Sequence, residues 1–337
     1  MAELKYDSKT GRLLFTKEMK KEYTILMPNM APIHFNILQN VFNYYGYKSE
    51  LLDTCGPEIA QTGLKYVHND TCYPALLVIG QFIHALQSGK YDVHKTALMI
   101  TQTGGGCRAS NYIFLLRKAL KKAGFEFVPV ISLSFGMEKN SGFSLTLPLI
   151  RRFVGGLVYG DQLMLLSNQT KPYEVNKGES MALVADWSDK ISKMLIEGNG
   201  YTLEEIDENL DKITKSFSEI KLNKVPKVKV GIVGEIYVKY SKMANNGLEE
   251  FLASQDCEVC VPGLMGFASF KVDNRIEDAK LYGGAKIKST FCKMLLDYLT
   301  KLEALMIESA KKYNFVPPHE YAHTKQLVKG IIGYGSK

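Results

Sequence analysis

The segment TALMITQTGGGCRASNYIFLLRKALKKAGFEFVPVISL, residues 96–133, joins two β-type runs through a glycine loop and a helix. The first run, Thr96 to Thr101, is typical of a strand that is buried on both faces. An amphipathic pattern covers Ser110 to Lys122 and ends at Gly124, and a second buried-type strand follows at Val128 to Leu133. A strand, a helix and a strand in this order predict parallel pairing, with ligands above the carboxyl ends of the strands.

The same alternation extends toward the N-terminus. Short β-type runs at Tyr23 to Met27 and Ser49 to Asp53 predict two further strands. Helical periodicity follows the first strand at Ile33 to Tyr45 and the second from Glu58 to Leu86, with a polar break in the middle. Residues 1–144 are therefore predicted to form a first α/β unit.

Beyond this unit, long helical periodicities without convincing strands predict a helical connector over residues 145–225. The predicted helices are Leu147 to Asn168, Ser180 to Ile196, and Leu203 to Phe217 with Thr202 as its cap.

A second α/β unit is predicted over residues 226–337. Its strands are expected at Val228 to Val233 and Cys257 to Val261, separated by a helix at Gly247 to Ala253, and a long helix is expected at Lys288 to Tyr313. The predicted fold class is α/β, with two Rossmann-like parallel-sheet units joined by a helical connector.

Composition narrows the classes of function. The net charge is +7, but the basic residues are spread along helix faces without a basic block interleaved with aromatics, which argues against nucleic-acid binding. No apolar stretch approaches about 18 residues, and the polar N-terminus does not resemble a leader peptide. We therefore expect a soluble cytoplasmic protein that is not bound to a membrane, whose six cysteines do not form a disulfide framework.

Three cysteines lie at breaks between predicted strands and helices: Cys55, Cys72 and Cys107. Cys55 and Cys107 follow the carboxyl ends of predicted strands, and Cys72 precedes the helix that begins at Pro74. Thiolates presented from loops above one sheet can converge on a soft metal centre, and helix N-termini favour their negative charge. This placement predicts an iron-sulfur cluster with these three cysteines as ligands.

The glycine loop would contribute to the same site. Gly104, Gly105 and Gly106 let the backbone approach a cofactor closely, so that amide groups can donate to cluster sulfurs. We therefore predict that these glycines contact the cofactor.

The other three cysteines are predicted to pack in the core. Cys257 and Cys260 have the C-x-x-C spacing, but they lie in a β-type run, where their side chains would not point the same way. Cys292 falls inside a helical stretch, where burial is the usual role of a free cysteine.

An alternative is dinucleotide binding. Gly104-x-Gly106-x-x-Ala109 lies between a strand and a helix and satisfies the loose fingerprint, with Glu126 at the distance expected of a ribose contact. The fingerprint normally occupies the first strand-helix turn of its unit, which this loop does not.

A second alternative is the zinc-protease motif H-E-x-x-H at His319 to His323. Two prolines directly precede it, and no further metal ligand follows it in the sequence. We interpret it as an exposed capping segment.

Several segments resemble the 2-hydroxyacyl-CoA dehydratase and benzoyl-CoA reductase superfamily. They are Gly63 to Pro74 (GLKYVHNDTCYP), Gln102 to Tyr112 (QTGGGCRASNY), Met27 to Phe35 and Val230 to Lys239. Within this group, the chain is similar to the iron-sulfur domain associated with the ATP-dependent activase of these enzymes.

The resemblance implies a low-potential 4Fe-4S cluster or a double-cubane 8Fe-9S cluster. It also implies a partner, an ATP-hydrolysing activase with its own iron-sulfur cluster, and chemistry of reduction or radical dehydration on a small molecule or an acyl-CoA. Cys72 and Cys107 match the family's ligands in the first α/β unit, and Cys55 would be the third ligand because it follows a strand of the same predicted sheet. A homodimer would also fit the family, and a metal-free subunit that pairs with an activase is a further alternative.

Overall fold

The computed structural model describes residues 2–68, 70–102, 107–133 and 142–335. It is a mixed α/β structure, as the sequence predicts. The chain divides into two compact units. The first unit comprises Met1–Leu149 and Gly234–Leu248, and the second comprises Ile150–Val233 and Glu249–Lys337.

The elements follow one another along the chain with strands and helices interleaved in the first half and helices prevailing in the second. Up to residue 170 they are β1 Lys5–Tyr6, β2 Leu13–Leu14, α1 Lys17–Glu22, β3 Thr24–Pro28, α2 Pro32–Tyr44, β4 Lys48–Leu52, α3 Pro57–Tyr66, α4 Tyr73–Gln87, β5 Thr96–Thr101, α5 Tyr112–Ala123, β6 Val130–Leu133 and α6 Leu147–Thr170. The remainder are α7 Glu179–Glu197, α8 Leu203–Ser218, β7 Lys229–Gly231, α9 Ile236–Tyr240, α10 Lys242–Asn245, α11 Leu248–Ser254, β8 Glu258–Cys260, α12 Leu264–Tyr282, α13 Lys286–Lys312 and α14 Tyr321–Leu327.

The first unit is built on a parallel sheet in the order β4-β3-β5-β6. Ile25 of β3 pairs with Ser49 on one side and with Ala97 on the other, and Met99 of β5 pairs with Ile131. The chain therefore moves outward from β3 to β4 and then returns past β3 to β5. This reversal of direction creates a switch point at the carboxyl edge between β3 and β5, the place where open α/β sheets bind ligands.

The helix α4 lies at the centre of the first unit's core, with apolar residues such as Ile79, Phe82 and Ile83 fully buried. It packs closely against α3 because both helices have glycine at the contact. A Cβ atom on Gly80 would collide with the carbonyl oxygen of Ile59, and one on Gly63 would collide with that of Leu76. This close approach fixes the N-terminus of α4, and with it Cys72, relative to α3.

The second unit contains a small parallel sheet of β7 and β8, in which Val230 pairs with Val259. The helices α7 and α8, which the sequence assigned to a connector, belong to this unit. The predicted cap of α8 is confirmed. The Glu205 backbone N–H donates to the Thr202 hydroxyl at 3.2 Å, and the Thr202 N–H donates to the Glu205 carboxylate at 3.0 Å, which completes a capping box.

In the part of the chain that the structure describes, no helix combines the length and the apolar character that crossing a membrane requires.

Candidate functional site

Cys55 lies in the loop that follows β4 at the carboxyl edge of the first sheet. Its side chain is exposed, and its sulfur lies 3.4 Å from the carbonyl oxygen of Asp53. The next residue, Gly56, has a φ of 130° and begins α3, whose first residue is Pro57. Only glycine adopts this φ without strain, so the turn that presents Cys55 depends on Gly56.

Cys72 is the N-cap residue of α4, and Pro74 occupies the first turn of this helix. The side chain is half-buried. Its sulfur lies 3.1 Å from the hydroxyl oxygen of Tyr112, the first residue of α5. Cys72 is thus connected to the helix that follows β5, although 40 residues separate it from Tyr112 in the chain.

Cys107 caps a short 3-10 turn, Arg108–Asn111, which precedes α5. The Ala109 backbone N–H donates to the Cys107 sulfur at 3.4 Å, and the Ser110 hydroxyl donates to the Cys107 carbonyl oxygen at 2.7 Å. The thiol is exposed. A backbone amide directed at sulfur stabilises a thiolate, which is the form that binds metal.

Two buried tyrosines, Tyr112 and Tyr237, have pKa values that are raised in part by the cysteines. Burial is the main cause of the raised pKa of Tyr112, and Cys72, Glu235 and Cys107 raise this pKa further. Burial likewise raises the pKa of Tyr237, with added contributions from Cys55 and Glu235. Cys55 and Cys107 follow β4 and β5 at the carboxyl edge of the first sheet, and the contact with Tyr112 joins Cys72 to the start of α5.

Glu235 and Tyr237 were not predicted as site residues from the sequence. They come from the segment Gly234–Leu248, which belongs to the first unit although most of the surrounding chain belongs to the second. Glu235 caps α9 by accepting the Val238 N–H at 3.0 Å. The signal that could have identified them is the resemblance of the segment Val230 to Lys239 to the iron-sulfur family.

Two buried amides hold the loops of this edge in place. Gln81, which is 2% exposed, donates to the carbonyl oxygens of Leu52 and Thr54 at 3.2 and 2.9 Å, just before Cys55. Gln102 donates to the Ser110 carbonyl oxygen at 2.8 Å and accepts from Ser132 at 3.1 Å. The loops that carry Cys55 and Cys107 are therefore anchored to the sheet by side chains of the core.

Some buried polar atoms near these loops have no hydrogen-bond partner among the described residues. They are Asn29 Oδ1 and Gln81 Oε1. Leaving a buried polar group unpaired costs about 1–3 kcal/mol. A site with such atoms favours a bound polar group or ordered water.

The donors in these loops are thiols, which are the usual ligands of iron-sulfur clusters. None of the six cysteines is in a disulfide, and Cys55, Cys72 and Cys107 are reached from solvent or half-buried. Within the described ranges, no group of three or more His, Cys, Asp or Glu side chains is arranged to hold a metal ion. A cluster accepts its thiolates at separate irons, so its ligands need not approach one point as closely as the ligands of one ion do.

The predicted glycine contacts, Gly104, Gly105 and Gly106, lie outside the described residues. Glu126, the predicted ribose contact of the dinucleotide alternative, is exposed and precedes β6. It therefore lies at the amino-terminal edge of the parallel sheet, whereas the glycine loop follows the carboxyl end of β5. This separation argues against the dinucleotide fingerprint.

The prediction that Cys257, Cys260 and Cys292 pack in the core is wrong. Cys260 is exposed, and Cys257 and Cys292 are half-buried. Cys260 ends a strand of a two-stranded sheet, and a sheet of this size leaves part of its surface uncovered. Cys292 lies in the part of α13 that has no buried side chain.

The H-E-x-x-H motif does not form a zinc site of the protease type. His319 and Glu320 precede α14, which begins at Tyr321, so the two histidines do not share a helix face. His319, Glu320 and His323 are all exposed. The Tyr321 backbone N–H donates to the Glu303 carboxylate at 2.9 Å, which agrees with a capping segment.

Comparison with known proteins found no matching family model, no similar curated protein and no similar solved structure.

Proposed function

We propose that this protein is an iron-sulfur protein that accepts low-potential electrons from an ATP-hydrolysing activase. It would relay them or use them in a reduction or a radical dehydration, as 2-hydroxyacyl-CoA dehydratases do. The observation that supports the proposal is the position of Cys55 and Cys107 in loops at the carboxyl edge of one parallel sheet, together with the contact of Cys72 with Tyr112 at the start of α5.

In this proposal the three thiolates hold a 4Fe-4S cluster or one half of a double-cubane cluster. When bound, such a cluster supplies a low-potential electron and, at an iron without a thiolate ligand, a Lewis acid. The Ala109 N–H donates to the Cys107 sulfur, and the Tyr112 hydroxyl, which lies 3.1 Å from the Cys72 sulfur, would donate to Cys72 once this residue is a thiolate. Hydrogen bonds to thiolate ligands stabilise the reduced, more negative state of a cluster.

The partner and the substrate class follow from the family resemblance. The activase would bring its own iron-sulfur cluster and would deliver electrons one at a time, and the substrate would be a small molecule or an acyl-CoA. The six free cysteines suit the reducing environment of the cytoplasm, where we place the protein.

Anaerobic purification tests the proposal. The wild-type protein should be brown and contain about four or eight irons per chain, with matching sulfide and an electron paramagnetic resonance signal after reduction. Cys55→Ala, Cys72→Ala and Cys107→Ala should each lose most of the iron. Cys292→Ala is the matched control and should retain it, since Cys292 lies in α13 of the second unit, whereas the proposed ligands belong to the first unit.

Two outcomes would contradict the proposal. A wild-type protein that stays colourless after anaerobic reconstitution with iron and sulfide does not carry a cluster. If such a protein binds NAD, the dinucleotide alternative is supported instead. If an activase binds equally well to a variant without the three thiols, the protein is a metal-free partner subunit.

A further inference from the structure

The helices α12 and α13 pack against each other, but the ends that meet at their connecting turn are uncovered. The last buried residue of α12 is Ile276, and the first buried residue of α13 is Leu299. Between them, residues 277–298 contain no buried side chain, and every residue from 280 to 288 is exposed. This part of the hairpin gains little of its stability from burial within the chain.

Large apolar side chains occupy this uncovered end. On α13, Ile287, Phe291 and Met294 are 85%, 65% and 67% exposed. Their spacing of four and three residues places them on one face of the helix. At the end of α12, Leu281 and Tyr282 are 60% and 58% exposed. We call Ile287, Phe291 and Met294 the apolar stripe.

Up to Met294, the apolar stripe lies on a different side of α13 from the half-buried residues of the same turns, and beyond Met294 the side that carries the stripe continues into the half-buried Tyr298 and the buried Leu302. Ser289, Cys292 and Leu296 are half-buried and lie on the opposite side of the helix from the stripe, since they are about 140° to 200° away from Ile287 at 100° per residue. In these first turns, the helix thus has one face that is partly covered and a second, apolar face that is not. An apolar face of this kind on a soluble helix marks an interaction surface.

Charges at the borders of the stripe indicate what covers it. Lys286 and Asp297 are both exposed and lie on the same border, and the part of the chain that the structure describes supplies no ion-pair partner to either. Lys286 is five residues before Phe291 and Asp297 is six residues after it, which is about 7.5 Å and about 9 Å along the axis. Lys288 lies on the opposite border.

These positions distinguish the two symmetric ways of pairing two copies of α13. If the two helices ran parallel, the Lys286 border of one copy would face the Lys288 border of the other, and like charges would meet. If they run antiparallel about a two-fold axis near Phe291, the border with Lys286 and Asp297 in one copy faces the same border of the other copy, and the chain directions of the two borders are opposite. Lys286 of each copy then lies beside Asp297 of the other, and Phe291 contacts Phe291.

We propose that the apolar stripe is the contact surface for a second copy of this chain, with the two α13 helices antiparallel across a two-fold axis near Phe291. The contact is isologous, so the same side chains serve both copies and the assembly closes at two. Aromatic and methionine side chains at its centre with charged residues at its border are the composition expected of a protein interface. This inference does not depend on the proposed iron-sulfur function.

An anionic membrane surface is the other occupant to consider, because Lys280, Lys286, Lys288 and Lys293 surround the stripe. Helices that lie in a membrane interface have a broad apolar face with a strongly charged face opposite it. Here the apolar arc is narrow, the opposite side is packed within the chain, and Asp297 lies on the border. These features favour a protein partner.

The test is the mass of the full-length protein in solution, measured by light scattering and sedimentation equilibrium from about 1 to 100 μM. The wild type should be a dimer, and Phe291→Glu should be a monomer across the same range. Val228→Ser is the matched control because Val228 is 69% exposed but lies outside the hairpin, and it should remain a dimer. Unchanged far-ultraviolet circular dichroism would verify that the variants fold.

Charge reversal tests the antiparallel geometry. Lys286→Glu and Asp297→Lys should each weaken the dimer by about tenfold or more, since each places like charges together at two symmetric positions. The double variant K286E/D297K should recover most of the wild-type affinity. Rescue of this kind is specific to residues that meet across the interface.

Three results would overturn the proposal. The first is a wild type that is monomeric over the whole concentration range, and the second is a Phe291→Glu variant that remains a dimer. The third is a double variant whose dimer is no tighter than the dimers of the single variants. Binding of a monomeric wild type to phosphatidylserine-containing vesicles would assign the stripe to a membrane surface instead. The dimer is tested by the mass of the protein and the iron-sulfur proposal by its iron content. A negative result for one proposal is therefore distinct from a negative result for the other.

Discussion

The hydroxyl oxygen of Tyr112 lies 3.1 Å from the sulfur of Cys72. The two residues begin different helices, α5 and α4, which pack in one core, so their contact is set by the packing of the whole first unit. Toward a thiolate the phenol is the donor, because a thiolate has no proton to give. The contact therefore places a hydrogen-bond donor on a proposed cluster ligand.

Tyr112→Phe should preserve the cluster but lower its reduction potential. Loss of a hydrogen bond worth about 1 kcal/mol corresponds to roughly 40 mV for a one-electron couple. An anaerobic redox titration followed by electron paramagnetic resonance measures the change. Tyr73→Phe is the control, because Tyr73 adjoins Cys72 in sequence yet is 48% exposed. Equal potentials for the wild type and Tyr112→Phe would show that the hydroxyl does not act on the cluster.

Gly80→Ala should destabilise the first unit by about 1–3 kcal/mol, because the added methyl group meets the Ile59 carbonyl oxygen and forces α3 away from α4. Urea unfolding measures the loss. Gly266→Ala, also within a helix, is the comparison. Its methyl group would point into open space, so this variant should be unchanged or more stable by up to about 1 kcal/mol. A Gly80→Ala protein as stable as the wild type would contradict the close approach.

Asp161 caps a helix that follows it by about one hundred residues. This buried carboxylate accepts the backbone N–H groups of Leu264 and Met265, both at 2.7 Å, at the start of α12. Asp161→Ala should cost about 2–4 kcal/mol, since it leaves buried amides unpaired at a helix N-terminus. Denaturant unfolding measures this change. Asp186→Ala removes only an exposed ion pair with Lys190, and it should change stability by less than about 0.5 kcal/mol.

Glu303 should make the second unit less stable as the pH rises. Burial raises the pKa of its carboxyl group, the neighbouring Glu320 adds to the rise, and the hydrogen bond from Tyr321 opposes it. The folded state then binds a proton more tightly than the unfolded state, so stability falls from the ordinary carboxyl pKa near 4.5 up to the raised value and stays lower above it.

Glu303→Gln keeps an oxygen that can accept the Tyr321 N–H but cannot ionise. Relative to the wild type, this variant should therefore be more stable at pH 7 than it is at pH 4, as measured by thermal unfolding of both proteins at the two pH values. Glu308→Gln, which changes an exposed residue of the same helix, should show no such difference between the two pH values. If Glu303→Gln changed the stability by the same amount at pH 4 and at pH 7, the pKa of Glu303 would not be raised in the folded protein.

Sequence patterns were sufficient for the four strands of the first unit's parallel sheet and for the helices between them. The periodicity around Thr96–Thr101 and Tyr112–Ala123 predicted a strand and a helix that the structure contains, and Thr202 was correctly assigned as a cap. These assignments depend on residues that are close in sequence. The cysteines Cys260 and Cys292 were assigned to the core incorrectly, because burial depends on which elements cover a surface and not on the type of residue alone.

The sequence by itself determined the alternating α/β order, the Thr202 cap of α8 and the positions of Cys55, Cys72 and Cys107 at element ends. Local propensity and hydrogen bonding within a few residues are enough to specify these features. Only the tertiary structure decided that the segment with Glu235 and Tyr237 belongs to the first unit and that the first turns of α13 keep an uncovered apolar face. Both depend on contacts between distant segments, which form when the chain packs and leave no periodic pattern in the sequence.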